Sequence, residues 1–393
     1  MYVSMTMGID ASRAFEKNKT GIENYSFYLI RSLRKPLERE RVVLFVRKDA
    51  HIPFSLPERW EVRMITWPVL WTQGGFAWEM WRRPVDVLLV PAYTLPWLHP
   101  RQSVVVVHGV EYESVPEAYS RLSRLLLRIG TRLSCRWAKR IVAVSEATKR
   151  DMVSWYGLDE KKIQVVYEGV EDIRMEEGQD GEHNTEVVSG VASPYFLVLG
   201  RLETRKNVVR VIRAFDQFKK HTGAPHRLVL AGRPGYGYKY IKYVIAKSTY
   251  RTDIYELGYV REGEKWELLR NAEALMFVSL AEGFGLPIPE AQSVGTPVIA
   301  SDIPIMREVA GDGAVFVDPT DVRKIREMMR ALTGHEHNSP PQSSPQLKGG
   351  GIRKDHSTLP DRNAILRRGY ENVRRFSWEK CAREVSEVLR GAG

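Results

Sequence analysis

Cysteine is nearly missing from this chain: Cys135 and Cys381 are the only two among 393 residues. They lie far apart with no Cys-x-x-Cys spacing, which excludes a disulfide framework and a thiolate zinc site and makes a reducing cytoplasm the expected compartment. Long apolar runs are missing too, and none approaches the roughly 18 residues of a membrane span. Met1–Asp10 lacks the charged-then-apolar layout of a secretory signal and reads as a first strand. No Gly-x-Gly-x-x-Gly opens the first helix, which speaks against a dinucleotide enzyme. No Asp-x-Asp occurs anywhere, so no carboxylate pair has the spacing of a metal clamp on a diphosphate, and no metal or other cofactor is expected.

What the chain has in quantity is positive charge, with 59 Lys and Arg against 48 Asp and Glu for a net +11. Such a field implies an anionic partner without locating a site. Most of the excess lies in residues 1–170, and much of it in Arg121, Arg124, Arg128, Arg132, Arg136, Lys139 and Arg140. These recur every three or four positions with Leu122, Leu125, Leu126, Ile129, Leu133 and Trp137 between them, which predicts a basic amphipathic helix. Two readings stand: a helix that docks its apolar face on its own domain and leaves its arginines in solvent, or one that lies on an anionic membrane surface. The arginines are helical and interleaved with aliphatics rather than set among aromatic strands, so nucleic acid is not an expected partner.

At 393 residues the chain exceeds what one hydrophobic core usually supports, and its 43% hydrophobic and 27% charged content is that of a globular protein. Two domains are expected. Apolar runs alternate with helical patterns: Tyr2–Ile9, Val42–Val46, Val62–Ile65, Val85–Val90, Val104–Val107, Ile141–Val144 and Ile163–Val166 read as strands of one parallel sheet. Helices fit best over Gly21–Leu33 and Val115–Ala138. The tryptophan-rich stretch Trp67–Trp81 reads as an aromatic loop, a candidate for acceptor or lipid contact or simply buried. A second series, Tyr195–Leu199, Arg227–Ala231, Asp253–Glu256, Ala274–Val278, Pro297–Ala300 and Ala314–Val317, predicts another open sheet. Its helices fall near Val208–Lys220, Lys239–Ala246, Glu262–Asn271 and Thr320–Leu332. Residues 176–193 are polar and without period, the expected linker between a domain at 1–175 and one at 194–376. Residues 335–358, rich in Ser, Pro and Gly, read as a flexible low-complexity insertion. A closing helix follows a break near Phe376-Ser377-Trp378.

Two segments concentrate groups that can do chemistry. Glu282-Gly283-Phe284-Gly285-Leu286-Pro287-Ile288-Pro289-Glu290 follows the strand at 274–278, so two carboxylates eight positions apart bracket a turn where open α/β sheets bind ligands; the helix is expected from Ala291 onward. Gly200-Arg201-Leu202-Glu203-Thr204-Arg205-Lys206-Asn207 follows the strand at 195–199 and opens a helix. Free backbone N–H groups, a helix N-terminus and three cations make that loop a place for a diphosphate. Two further strand ends carry Thr20-Gly21-Ile22, where a glycine lets backbone approach a phosphate or acceptor, and His108-Gly109 after Val104–Val107.

The Glu-x7-Glu motif with its continuation Gln292–Ser301, and the 201–206 loop, resemble the donor site of retaining, nucleotide-sugar-dependent glycosyltransferases of family 4. The resemblance spans nearly the whole chain and implies a GT-B fold: α/β, two Rossmann-like, doubly wound parallel-sheet domains facing a central cleft, with a final helix at about 377–393 crossing back to the first. It implies that Glu282 contacts donor-sugar hydroxyls, that Glu290 holds the ribose, and that Arg201 and Lys206, with Arg205 as substitute, neutralise the leaving diphosphate. His108 would lie near the reacting sugar. Gly21 would approach the phosphate or acceptor, Phe284, Gly285 and Leu286 would line the donor pocket, and Tyr259 and Val260 would receive the base. The departures are a single glycine at Gly21 where the family often has two or three, and the 335–358 insertion.

The activity so implied is metal-independent transfer with retained configuration, by a front-face substitution, from a nucleoside-diphosphate sugar to a glycan or lipid-linked acceptor. GDP-mannose is the favoured donor and cell-surface polysaccharide or glycolipid assembly the expected setting, in the cytoplasm or at the inner face of the membrane. Two alternatives stay open: a catalytically silent nucleotide-sugar-binding subunit of the same fold, and a sugar-nucleotide epimerase on Rossmann-like lobes.

Overall fold

The computed structural model describes residues 5–171, 191, 193–333 and 361–393. Apart from Val191 and Ser193, the linker assigned to 176–193 lies outside them, as does the insertion assigned to 335–358.

The first lobe is built on strands β1 (Thr6–Asp10), β2 (Arg41–Arg47), β3 (Trp60–Ile65), β4 (Val87–Val90), β5 (Gln102–Val107), β6 (Arg140–Ala143) and β7 (Ile163–Val165). They form one sheet in the order β3-β2-β1-β4-β5-β6-β7, parallel throughout. The second lobe repeats the plan with β8 (Tyr195–Leu199), β9 (Arg227–Ala231), β10 (Ile254–Gly258), β11 (Ala274–Phe277), β12 (Val298–Ser301) and β13 (Val315–Val317), in the order β10-β9-β8-β11-β12-β13. The central strands are near-continuous apolar runs because helices cover both of their faces: Val104–Val107 and Tyr195–Leu199 are buried at every position. In each sheet the strand order reverses beside the first strand, between β1 and β4 and between β8 and β11. Open α/β sheets bind their ligands at such switch points, outside the carboxyl ends of the strands.

The final helix, Trp378–Arg390, returns to the first lobe and packs on helix Gly21–Leu33. Tyr28 stacks on Trp378 with centroids 5.3 Å apart, and Arg390 donates to the carbonyl of Pro36 at 2.7 Å. The two lobes also meet directly. Ser145 Oγ and Thr148 Oγ1 of the first donate to the Gly283 carbonyl of the second, at 2.8 and 3.1 Å. The carboxylate of Glu308 accepts from the backbone N–H groups of Glu146 and Ala147, at 2.6 and 2.9 Å. Those are free donors at the start of helix Glu146–Tyr156, so an acid of one lobe caps a helix of the other.

Three expectations need correction. Helix Pro287–Ser293 starts four residues before Ala291, because proline is accommodated in a first helical turn, where its missing N–H is no loss. The aromatic stretch contains a turn of wide helix, Thr72–Phe76, running into helix Ala77–Arg82; Trp71 is buried while Trp67, Trp78 and Trp81 are exposed. The basic helix, Arg121–Trp137, does not dock its apolar stripe on its own domain: the face it buries is Thr131, Ser134 and Cys135. No helix of the described residues is long and apolar enough to cross a membrane.

Candidate active site

The end of β8 runs into Gly200, whose φ of +124° suits only glycine, and the facing Gly232 lies so close that a Cβ there would stand 1.9 Å from the Gly200 carbonyl. A tight turn at Thr204–Lys206 follows, and Asn207 locks it in a left-handed conformation by donating to the carbonyls of Val278 and Pro319 at 2.9 and 2.7 Å. This turns Arg205 and Lys206 toward the exit of β11. There Glu282 lies between them: Arg205 reaches one carboxylate oxygen at 2.6 Å and Lys206 the other at 2.5 Å. Arg205 also donates to the Ala281 carbonyl at 2.8 Å and pairs with Glu203 at 3.0 Å. Burial alone would raise the proton affinity of Glu282, but the charges of Arg205 and Lys206 outweigh it and hold its pKa at about 2. Burial and the neighbouring Arg205 lower that of Lys206 against the pull of Glu282.

Glu290 occupies the first turn of helix Pro287–Ser293 and is gripped by Lys265 at 2.6 Å, which also holds Glu262 at 2.5 Å. Burial pushes the Glu290 carboxyl upward against the charge of Lys265, and Glu262 pushes the same way. The two acids of the motif are therefore set differently, one firmly ionised between two cations and the other desolvated and sharing a single lysine with the more exposed Glu262.

His108 directly follows β5, with its ring buried. Its Nε2 lies 2.7 Å from the Pro91 carbonyl and its Nδ1 3.1 Å from Glu168, and Tyr25 packs against it edge-on at 4.5 Å. A carbonyl only accepts, so Nε2 carries its hydrogen and the imidazole is fixed by partners of its own lobe. Its backbone makes the contact with the acid motif: Gly283 sits against the His108 carbonyl.

Arg201 is exposed, its stem lying across Gly235, and no ion pair joins it to the acid motif among the described residues. Phe284 is buried between Tyr167 and Phe376, Gly285 takes a φ of +99° beside Phe277, and Leu286 is half-buried in the same cluster. Tyr259 lies under the guanidinium of Arg233 at 4.8 Å, and Val260 packs on the main core. Gly21 starts its helix in open space, and the capping acid there is Glu23, which accepts from the Thr20 backbone at 3.2 Å. The structure thus brings Arg205, Lys206, Glu282 and the His108 backbone together, keeps Glu290 with Lys265, and leaves Arg201 and Gly21 apart from those pairs. Among the described residues, no three His, Cys, Asp or Glu gather to hold a metal.

Two groups of this site escaped the sequence reading. Glu111, three residues past His108, is 3.9 Å from Arg205 across the lobe boundary, and burial, with the charge of Glu282, raises its carboxyl. Lys265 is a buried lysine on helix Glu262–Asn271. Strand-end position could have suggested the first, and a cation on the inner face of an amphipathic helix the second.

Residues 19–174 match the family described as Glycosyltransferase Family 4, and residues 183–340 match Glycosyl transferases group 1. The chain is 28% identical to the O-antigen chain mannosyltransferase RfbU of Salmonella typhimurium, across 61% of this chain and 63% of that one. It is 30% identical to the O-antigen chain mannosyltransferase B of Escherichia coli across 49% of this chain and 44% of that one. The matched stretch thus spans less than two thirds of either relative. Its fold is similar to that of WaaG, a glycosyltransferase involved in lipopolysaccharide biosynthesis (TM-score 0.68, 14% identity, 98% of this chain and 100% of that one). It is also similar to Anabaena HepE in complex with UDP-glucose (TM-score 0.64, 15% identity, 98% and 100% covered).

Proposed function

Because the chain belongs to the family 4 glycosyltransferases of the GT-B fold, we propose that it moves a sugar from a nucleoside-diphosphate donor to a glycan or lipid-linked acceptor in the assembly of a cell-surface polysaccharide. The observation that carries this reading is Glu282 clasped by Arg205 and Lys206 at the exit of β11, with Glu290 eight positions on beside Lys265. Two largely buried cations can receive the diphosphate, and Glu282 is then released to hydrogen-bond the donor sugar. Glu290 serves the ribose. Arg201, on the exposed rim, assists the diphosphate from outside.

In the proposed step the bond from the anomeric carbon to the diphosphate oxygen breaks, and the acceptor oxygen bonds to that carbon from the same face. The acceptor hydroxyl gives its proton to the departing phosphate oxygen, so configuration is retained. Negative charge grows on the diphosphate as it leaves, and preorganised cations that meet it there lower the barrier without a metal. GDP-mannose is the donor we favour, because the O-antigen relatives are mannosyltransferases. An anionic membrane surface, met by helix Arg121–Trp137, is the setting in which a lipid-linked acceptor would be reached.

The test is turnover of a panel of UDP-, GDP- and ADP-sugars by the purified chain, with and without EDTA, and proton NMR of the first-formed product. Retained configuration and activity that survives EDTA are expected. An inverted product, or activity restored only by a divalent cation, overturns the mechanism.

A further inference from the structure

Successive residues of a helix are about 100° apart, which places Leu122, Leu125, Leu126 and Ile129 on one face of Arg121–Trp137. All four are exposed, Leu122 at 67% and Leu126 at 62%. An ordinary surface helix hides such a stripe and shows its charges; here Thr131, Ser134 and Cys135 make the contact with the lobe, with Leu127 half-buried beside them. Ser134 accepts from the backbone of Leu95 at 2.9 Å, which ties the helix to a loop that presents Trp97, 71% exposed, and Leu98. The ring of His99 in that loop lies tilted against Trp137, with centroids 5.9 Å apart. Gln73 extends the surface by bonding the Trp97 N–H at 2.9 Å and the Leu95 carbonyl at 3.1 Å. Its own segment exposes Val69, Leu70, Trp78 and Trp81.

Charge says what covers this face. Residues 121–140 and 94–101 contain no acidic residue. The one acid of residues 67–83, Glu79, is buried and paired with Arg83 at 2.9 Å. Arg124 and Arg128 are already committed to buried Glu113 at 3.5 and 3.0 Å, whereas Arg121, Arg132 and Arg136 stand exposed beside the leucines. Leucines and indoles flanked by arginines, with no carboxylate among them, match the headgroup and upper acyl layer of an anionic bilayer.

We propose that this three-segment face inserts into anionic phospholipid: Leu122, Leu125, Leu126, Ile129 and Trp97 enter the apolar layer, and Arg121, Arg132 and Arg136 meet the phosphates. The proposal rests on the lipid-linked acceptor reading for its purpose. Binding then has two separable parts, an electrostatic one that salt weakens and an apolar one that it does not.

The experiment is co-sedimentation of the full chain with phosphatidylcholine vesicles, with and without phosphatidylglycerol, over a range of salt. Donor hydrolysis in solution is measured in parallel. Wild type should bind the anionic vesicles with a blue shift of tryptophan emission. Replacing Arg121, Arg132 and Arg136 by Gln should weaken that binding on the order of a hundredfold and leave a salt-insensitive residue. Replacing Leu122, Leu126 and Ile129 by Ser should abolish that residue. Both variants should hydrolyse donor like wild type. Wild type that ignores anionic vesicles at low salt overturns membrane docking, and a Ser variant that binds like wild type at every salt overturns insertion. A concentration-dependent dimer in analytical ultracentrifugation that the Ser variant abolishes gives the face to a second copy and overturns the proposal as well. Absence of donor hydrolysis by wild type would instead strike the enzymatic reading and leave the vesicle result standing.

Discussion

A methyl group added to the α-carbon of Gly283 would stand 1.4 Å from the carbonyl oxygen of His108, so the acid motif of one lobe and the histidine strand end of the other are in backbone contact. No rotamer change relieves a clash with a carbonyl. Gly283→Ala should therefore hold the lobes apart and displace Glu282 from the cleft, lowering turnover on the order of a hundredfold. Small-angle scattering should report a larger radius of gyration. Wild-type turnover and unchanged scattering would mean that this lobe contact is not the working arrangement.

The three cations of the 201–206 loop should separate. Arg205 is largely enclosed by Glu282, Glu203 and Glu111, and removing it leaves the charge of buried Glu282 short of a partner. Arg205→Ala should lose about 3 kcal/mol of stability as well as activity. Lys206→Ala should lower kcat on the order of a hundredfold while KM changes little, as for loss of a preorganised group felt in the transition state. Arg201→Ala, on the rim, should be as stable as wild type and lose mainly donor affinity. Denaturant melts and steady-state kinetics of the three variants check the order; equal stabilities would contradict the burial of Arg205.

Acid stability should report on Glu282. Its folded pKa of about 2 lies below an ordinary glutamate value near 4.3. A depressed carboxyl contributes stability that is present above the unfolded pKa and lost as pH falls toward the folded one. That window is about pH 4.3 to 2, and the contribution is on the order of 3 kcal/mol. Glu282→Gln should be less stable at neutral pH, because Arg205 and Lys206 lose their counter-charge, and its stability should fall less steeply across the window. Parallel acid limbs for variant and wild type would remove Glu282 from this role.

The strands were legible because each is a short, nearly unbroken apolar run, and Val104–Val107 or Tyr195–Leu199 has no other place than a sheet covered on both sides. The acid motif and the 201–206 loop were legible because they follow such runs. Which face of helix Arg121–Trp137 is covered was not, since periodicity separates two faces without saying which one meets the protein. Glu111 follows a strand end, a signal that could have marked it, but its pairing with Arg205 was not legible, because that depends on how one lobe approaches the other. Proline at 287 and 289 suggests a turn by sequence alone, although a first helical turn accepts it equally well.

The two acids of the motif should fail in different ways because their partners differ. Glu282 is bound to Arg205 and Lys206, the cations proposed to receive the diphosphate, so Glu282→Gln should chiefly damage transfer and discrimination among donor sugars. Glu290 is bound to Lys265, which Glu262 also holds, and lies in the first turn of its helix, where its two carboxylate oxygens could accept hydrogen bonds from the two ribose hydroxyls. Glu290→Gln should weaken binding of the bare nucleoside diphosphate, on the order of tenfold for the loss of one charged hydrogen-bond acceptor. Lys265→Met should act through Glu290: with its counter-charge gone, the buried carboxyl takes up a proton more readily, and nucleotide affinity should fall as pH drops toward the acid range. Calorimetric titration of each variant with UDP and GDP at several pH values measures all three effects. Equal loss of nucleotide affinity in Glu282→Gln and Glu290→Gln would contradict the division. A flat pH profile in Lys265→Met would show that this lysine holds the helix and not the acid.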